Sequence, residues 1–216
     1  MPDHVKVIKG NLVTGDGLQN LRDANMIVHC ASNPKDPQNS DVIGTSNLLK
    51  ALDKTKINHF INVSIVGVDK TDYPYYKVKT TVEDVVSKSG TPFTTLRATQ
   101  FHDLVLNMIR SFEINHEDIL VPVGMKFQSI DVNEVALRLA RLIEEQPLGL
   151  LPDMGGPEVL TIEEMVKIYL DNFNQKYSIK VILIESPRHE LFSSGVNLCP
   201  DHKYGSITWR KFLASL

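Results

Sequence analysis

Apolar runs of strand length alternate along the first half of the chain with segments whose apolar residues recur every three or four positions. This is the pattern of a parallel sheet with crossover helices. Residues 5–9 alternate apolar and polar side chains and predict a short strand closed by Gly10-Asn11. Residues 17–21 predict a brief helix, and the continuous apolar run 26–31 a buried strand. After a loop carrying two prolines, Val42, Ile43, Leu48, Leu49 and Leu52 fall on one helical face, which predicts a helix over about 41–54. Residues 60–65 form the next strand and 76–87 the next helix, stopped by Ser89-Gly90-Thr91-Pro92. The β-branched stretch 93–97 adds a further strand.

Beyond that strand the alternation loosens. Residues 101–112 predict a helix with Leu104, Val105, Met108 and Ile109 as its apolar stripe, and 119–123 a short strand. Asp131 suits the N-cap of a helix running to Glu145, and Thr161 with Glu164 has the Thr-x-x-Glu pattern of a capping box. Residues 181–184 read as one more strand, and Trp209, Phe212 and Leu213 as the apolar anchor of a small final helix. The absence of repeats, low-complexity tracts and linkers predicts one domain over 1–216, with a sheet core over about 1–120 and a smaller lobe and tail over about 121–216.

With 216 residues, 42% of them hydrophobic, the chain can fill a sizeable core. A net charge of -3 with scattered lysines gives no footprint for nucleic acid or an anionic membrane, so neither partner is expected. Two cysteines, Cys30 and Cys199, are too few for a disulfide framework. With no apolar stretch of spanning length and no signal-like start, they make the cytoplasm the expected compartment.

Candidate chemistry centres on Tyr75-x-x-x-Lys79. The spacing places a phenol and an ammonium one helical turn apart, so that the cation can approach the hydroxyl and favour its phenolate; that is acid/base chemistry for a carbonyl. The same spacing also describes an exposed helix start with a polar face. Tyr73 and Tyr76 are rival phenols; Tyr76 has no lysine four residues on, while Tyr73 has Lys77. Cys199-Pro200-Asp201-His202 with His189 has no second close ligand pair and fits no standard zinc spacing, so a packed tail is expected there and no metal.

Gly10-Asn11-Leu12, Ile27-Val28-His29-Cys30-Ala31-Ser32, Phe60-Ile61-Asn62-Val63-Ser64, Tyr75-x-x-x-Lys79 and Leu96-Arg97-Ala98-Thr99-Gln100-Phe101 occur in order and in register. In this they resemble the third strand onward of the atypical short-chain dehydrogenase/reductase family, and its NmrA-like, NAD(P)-binding branch in particular. Asp153-Met154-Gly155-Gly156-Pro157-Glu158 and Asn197-Leu198-Cys199-Pro200-Asp201-His202 extend the similarity over nearly the whole chain. The resemblance implies an α/β, Rossmann-like parallel sheet with crossover helices and a small C-terminal lobe, binding NAD or NADP. It places Asn11 and Leu12 at the adenine, and His29, Cys30, Ala31 and Ser32 along the cofactor. Ser64 would bond the substrate carbonyl and Tyr75 would donate the proton. Lys79 would hold the nicotinamide ribose and depress the tyrosine pKa. Ala98, Thr99, Gln100 and Phe101 would flank the nicotinamide, with His102 and Asp103 facing the substrate or starting the helix. For Ser64 a strand-end turn, and for Cys30 a small buried hydrophobe, are the alternatives that residue type alone supports.

The sequence departs from the family at its beginning, because relatives open with a strand, a Gly-x-x-Gly-x-x-Gly turn, a helix and a second strand. Gly15-x-Gly17 follows no core strand and is no substitute. A shortened gene, a misplaced start or a partial chain would each account for this. The sheet is thus expected to be N-terminally incomplete: to close up, to leave residues 5–9 loose or to borrow a partner, with an exposed 27–31 edge that favours a homodimer. Dinucleotide affinity is expected to be weak without the backbone cradle for the pyrophosphate. The implied function is an NAD(P)H-dependent oxidoreductase acting on a small carbonyl or quinone. The alternative is a non-catalytic dinucleotide-binding sensor or regulator, or a remnant of one.

Overall fold

The computed structural model describes residues 5–112, 114–115 and 117–216. In chain order the elements are β1 (Met26–His29), α1 (Gly44–Ala51), β2 (His59–Ile65), α2 (Pro74–Ser87), β3 (Phe93–Ala98), α3 (His102–Arg110), β4 (Ile114–Asn115), β5 (Asp118–Pro122), β6 (Lys126–Phe127), α4 (Val132–Leu142), β7 (Gly149–Leu150), β8 (Leu160–Thr161), α5 (Ile162–Asn172), β9 (Ser178–Ile182), α6 (Pro187–Ser194) and α7 (Trp209–Ala214). A parallel sheet of order β1-β2-β3-β7 carries the first half, and a sheet of order β4-β5-β9 with the β6-β8 ladder carries the second. This is the α/β, Rossmann-like arrangement with crossover helices that the sequence implied.

Side chains alternate across each strand, so the register fixes what each face meets. Ile27, Phe60 and Phe93 lie side by side and pack with Leu48, Leu49 and Val86 under α1 and α2. On the opposite face Ile61, Leu96 and Ala98 meet Ile130, Val135 and Leu142, under α4. α5 and α7 pack around fully buried Trp209, whose indole N–H donates to the Met165 carbonyl at 3.0 Å.

Asp131 caps α4 by accepting from the Asn133 N–H, and Thr161 and Glu164 form the reciprocal capping box at α5, both as the sequence predicted. Other boundaries moved. Residues 5–9 form no strand and are exposed, Val7 at 64%. Alternation makes a strand only when a neighbour takes up its backbone groups, and among the described residues none does. Residues 17–21 shrink to a 3-10 turn, Leu18–Leu21. The helix predicted over 41–54 starts earlier, as a π-turn at Gln38–Ile43, and ends at Ala51. The last strand slides from 181–184 to Ser178–Ile182, where it pairs in parallel with β5. The sequence pattern did not foresee α6, which opens with Ser186 accepting from the His189 N–H and Pro187 in its first turn.

Two constraints orient α2, the helix that carries Tyr75 and Lys79. Arg97 on β3 donates from Nε and Nη2 to both Glu83 oxygens, at 2.9 and 2.7 Å, and its Nη1 lies 2.9 Å from Asp69. Gly67, at φ +84°, passes so close to the tail that a Cβ there would lie 2.0 Å from the Val196 carbonyl oxygen. Only glycine fits that position.

The Arg97 clamp yields a stability prediction. Arg97→Leu, which strands the mostly buried Glu83 carboxylate, is expected to cost about 3–5 kcal/mol. Asp69→Asn, at the half-exposed arm, should cost under about 1 kcal/mol. Urea unfolding midpoints read both, and equal losses would show that the two arms are not distinguished by burial.

Candidate active site

A cleft of about 490 Å³ opens at the carboxyl ends of β1, β2 and β3, the edge where parallel sheets leave room for ligands between diverging loops. Cys30, Ser32, Ser64, Tyr75, Lys79, Ala98, Thr99, Gln100 and Phe101 all line it. Nine residues drawn from four separate stretches of sequence are therefore brought together. Asn11 and Leu12 are not. The Asn11 side chain accepts from the Val13 and Thr14 N–H groups of its own turn, and Leu12 packs against the α1 cluster. Ala31 is exposed and does not line the cleft.

His102 starts α3 and is fully buried. Its Nε2 donates to the Ile207 carbonyl at 3.0 Å, so Nδ1 accepts from Ser129 Oγ at 2.8 Å. It binds the tail, while Asp103 is exposed. His189 donates to the Val123 carbonyl, and Cys199 is buried with its backbone held by Gln128.

The electrostatic centre is a residue that sequence reasoning passed over. Asp41, 1% exposed, accepts from the Ser32 hydroxyl at 2.5 Å, the Asn33 N–H at 2.9 Å and the Ser40 hydroxyl at 2.7 Å. Lys79, also buried, stands 3.8 Å from Asp41 and donates to the Val63 carbonyl at 3.3 Å. Burial pulls the Lys79 ammonium below its ordinary range, with Asp41 opposing. Tyr75 contacts Ser32 at 2.7 Å. Burial pushes its hydroxyl above the usual phenol range; the Ser32 contact opposes this only where Ser32 is the donor, and the Asp41 charge adds to it. The depressed phenol implied by the family resemblance is thus not what the resting site holds. Tyr76 is more deeply buried, accepts from Gln100 Nε2 at 2.9 Å and is pushed up further by burial.

The cleft suits the nicotinamide half of a dinucleotide. Ser64 Oγ is buried on its wall with no hydrogen-bond partner, which leaves a donor and acceptor for a ligand. Lys79 supplies a buried ammonium beside it, and Val63, Ile65 and Phe101 supply flat apolar contact. Arg188, Leu191 and Phe192 of α6 close the far side. Sequence reading missed them because α6 carries little amphipathic pattern, and the one available sign was Ser186-Pro187 as a helix start.

A family model described as NAD(P)H-binding matches residues 1–144, two thirds of the chain. No curated protein matches the sequence. An NADPH-dependent quinone oxidoreductase from Escherichia coli, solved with NADPH, superposes with a TM-score of 0.79 at 13% identity, over 98% of this chain and 83% of its own. A nucleoside-diphosphate-sugar epimerase from Staphylococcus aureus gives 0.77 at 15% identity, over 99% and 86%. An enzyme from Bordetella bronchiseptica solved with NAD and UDP gives 0.71 at 16%, over 98% and 79%. At these identities the likeness is one of fold.

The buried histidine at the end of β1 generates a pH prediction. His29, bonded to Thr45 at 2.9 Å, is held down to about 4, first by burial and then by the Lys79 charge. Below pH ~6.5 the unfolded chain takes up a proton that the folded chain refuses. Stability is therefore complete above that pH and falls as pH drops toward about 4, by about 3 kcal/mol from this group. His59 and His102, also lowered by burial, act in the same direction. The difference between the parent and His29→Asn in urea midpoints across this window isolates the His29 share, and parallel curves would refute it.

Proposed function

The chain belongs to the NAD(P)H-binding family, and on that premise we propose that it is an NAD(P)H-dependent oxidoreductase of the atypical short-chain dehydrogenase/reductase type. We place it in the NmrA-like branch, acting in the cytoplasm on a small carbonyl or quinone. The observation that carries the reading is the convergence of Ser64, Tyr75 and Lys79 on one apolar-walled cleft at the carboxyl edge of a parallel sheet. A reduced dinucleotide bound there would supply hydride. Ser64 would then bond the carbonyl oxygen through its unpartnered hydroxyl, and Tyr75 would deliver the proton. Lys79 would hold the ribose hydroxyls. The apolar wall favours a flat substrate of modest size, and no helix among the described residues is long and apolar enough to cross a membrane.

The test is reduction of 1,4-naphthoquinone and small aldehydes at millimolar NADPH or NADH, followed by loss of reduced-nicotinamide absorbance. Tyr75→Phe keeps the ring and is expected to slow kcat by roughly 100- to 10,000-fold with dinucleotide affinity unchanged. Lys79→Ala should impair both. Tyr76→Phe, whose hydroxyl is held by Gln100, should change kcat little. An active protein whose kcat is the same after Tyr75→Phe would refute the assignment; dinucleotide binding without turnover of any acceptor would favour a sensor.

A further inference from the structure

The hydrogen bonds around Asp41 run in one direction. Its ion pair with Lys79 makes it a carboxylate, which can only accept. The single Ser32 proton is therefore committed to Asp41 Oδ2, and the 2.7 Å contact between Ser32 and Tyr75 must have Tyr75 as donor. The Tyr75 proton thus points at Ser32, whose own proton goes on to Asp41. The same carboxylate neutralises Lys79, the cation that would otherwise favour a phenolate.

We propose that Asp41 and Ser32 are positioning residues that latch the Tyr75 proton on its oxygen, keeping the site in the proton-donating form that serves carbonyl reduction and opposes alcohol oxidation. The inference rests on the reading of Tyr75 as proton donor. A phenolate at Tyr75 would lie near a buried carboxylate and lose its bond to Ser32, whose proton is held elsewhere. Oxidation needs that phenolate as base; reduction does not. In reduction the Tyr75 hydroxyl turns about its C–O bond from Ser32 to the substrate. Its O–H bond breaks as the proton goes to the carbonyl oxygen, while a reduced dinucleotide held at Lys79 would supply the hydride that the carbonyl carbon takes up. The tyrosine oxygen keeps the bonding pair until water reprotonates it. The other charged or titratable groups facing this network are Glu83 on α2, His29 and Cys30 at the end of β1, Tyr73 and Tyr76 beside Tyr75, and Arg188 across the cleft. None of them accepts the Ser32 or Tyr75 proton.

Asp41→Asn keeps the shape of the latch and removes its charge, freeing Ser32 to donate to the tyrosine oxygen and releasing Lys79. In alkaline titration of phenolate absorbance, with Tyr75→Phe difference spectra to isolate this residue, the variant is expected to ionise Tyr75 about one pH unit lower, tenfold more phenolate at fixed pH. Asp41→Asn/Ser32→Ala should give back part of that shift. An unchanged or raised transition, or a shift indifferent to Ser32, would overturn the latch. The parent protein offers a check that no variant's folding can obscure: the Tyr75 hydroxyl proton should exchange slowly and show a nuclear Overhauser contact to the Ser32 β-protons. Fast exchange with no such contact would equally overturn it. These measurements use neither dinucleotide nor substrate, so their failure leaves the oxidoreductase reading standing, and failure of turnover leaves them interpretable.

Discussion

The site depends first on how α2 is turned, and the guanidinium of Arg97 sets that turn. One planar fork on β3 grips Glu83 of α2 with two bonds and reaches Asp69 in the β2–α2 connection with a third nitrogen. Glu83 lies one helical turn beyond Lys79, so fixing it fixes the azimuth of Tyr75, Tyr76 and Lys79 together. Apolar packing of Val82 and Val86 is non-directional and would tolerate a small roll of the helix. The bidentate pair does not. What looks like a remote ion cluster is therefore the element that gives the phenols different neighbours, Ser32 for one and Gln100 for the other.

How legible this was follows from the physics of each element. β1 and β2 were readable as short, mainly apolar runs, as expected where both faces of a parallel sheet are covered, and β3 by its β-branched residues. Caps at Asp131 and Thr161 were readable because a side-chain oxygen answering a backbone N–H is a local event. Residues 5–9 misled because a strand is a pairing and not a propensity. Asp41 was unreadable for a different reason. A carboxylate among apolar helix positions looks like surface charge, and only the loop from Ser32 to Ser40 folding back over it makes it a buried hub. The wall formed by α6 was hidden likewise, since Leu191 and Phe192 are too few to mark a face.

The sheet face beneath α1 and α2 is more polar than a core is expected to be. His29, Asn62 and Thr95 lie side by side in register. Neither polar atom of the Asn62 side chain, nor Thr95 Oγ1, has a protein partner. Groups of this kind are satisfied by internal water.

The tail contacts have a consequence for the newborn chain. His102 at the mouth of α3 is bound by the Ile207 carbonyl, 105 residues later, and Gln100 by Asn197, 97 residues later. The three strands that bear the chemistry are complete by Ala98, so the sheet can assemble during synthesis from contacts of moderate range. The cleft wall cannot. Until the segment carrying Asn197 and Ile207 clears the ribosome, the apolar ends of β2 and β3 stand open, and it is in that interval that a chaperone would find its purchase.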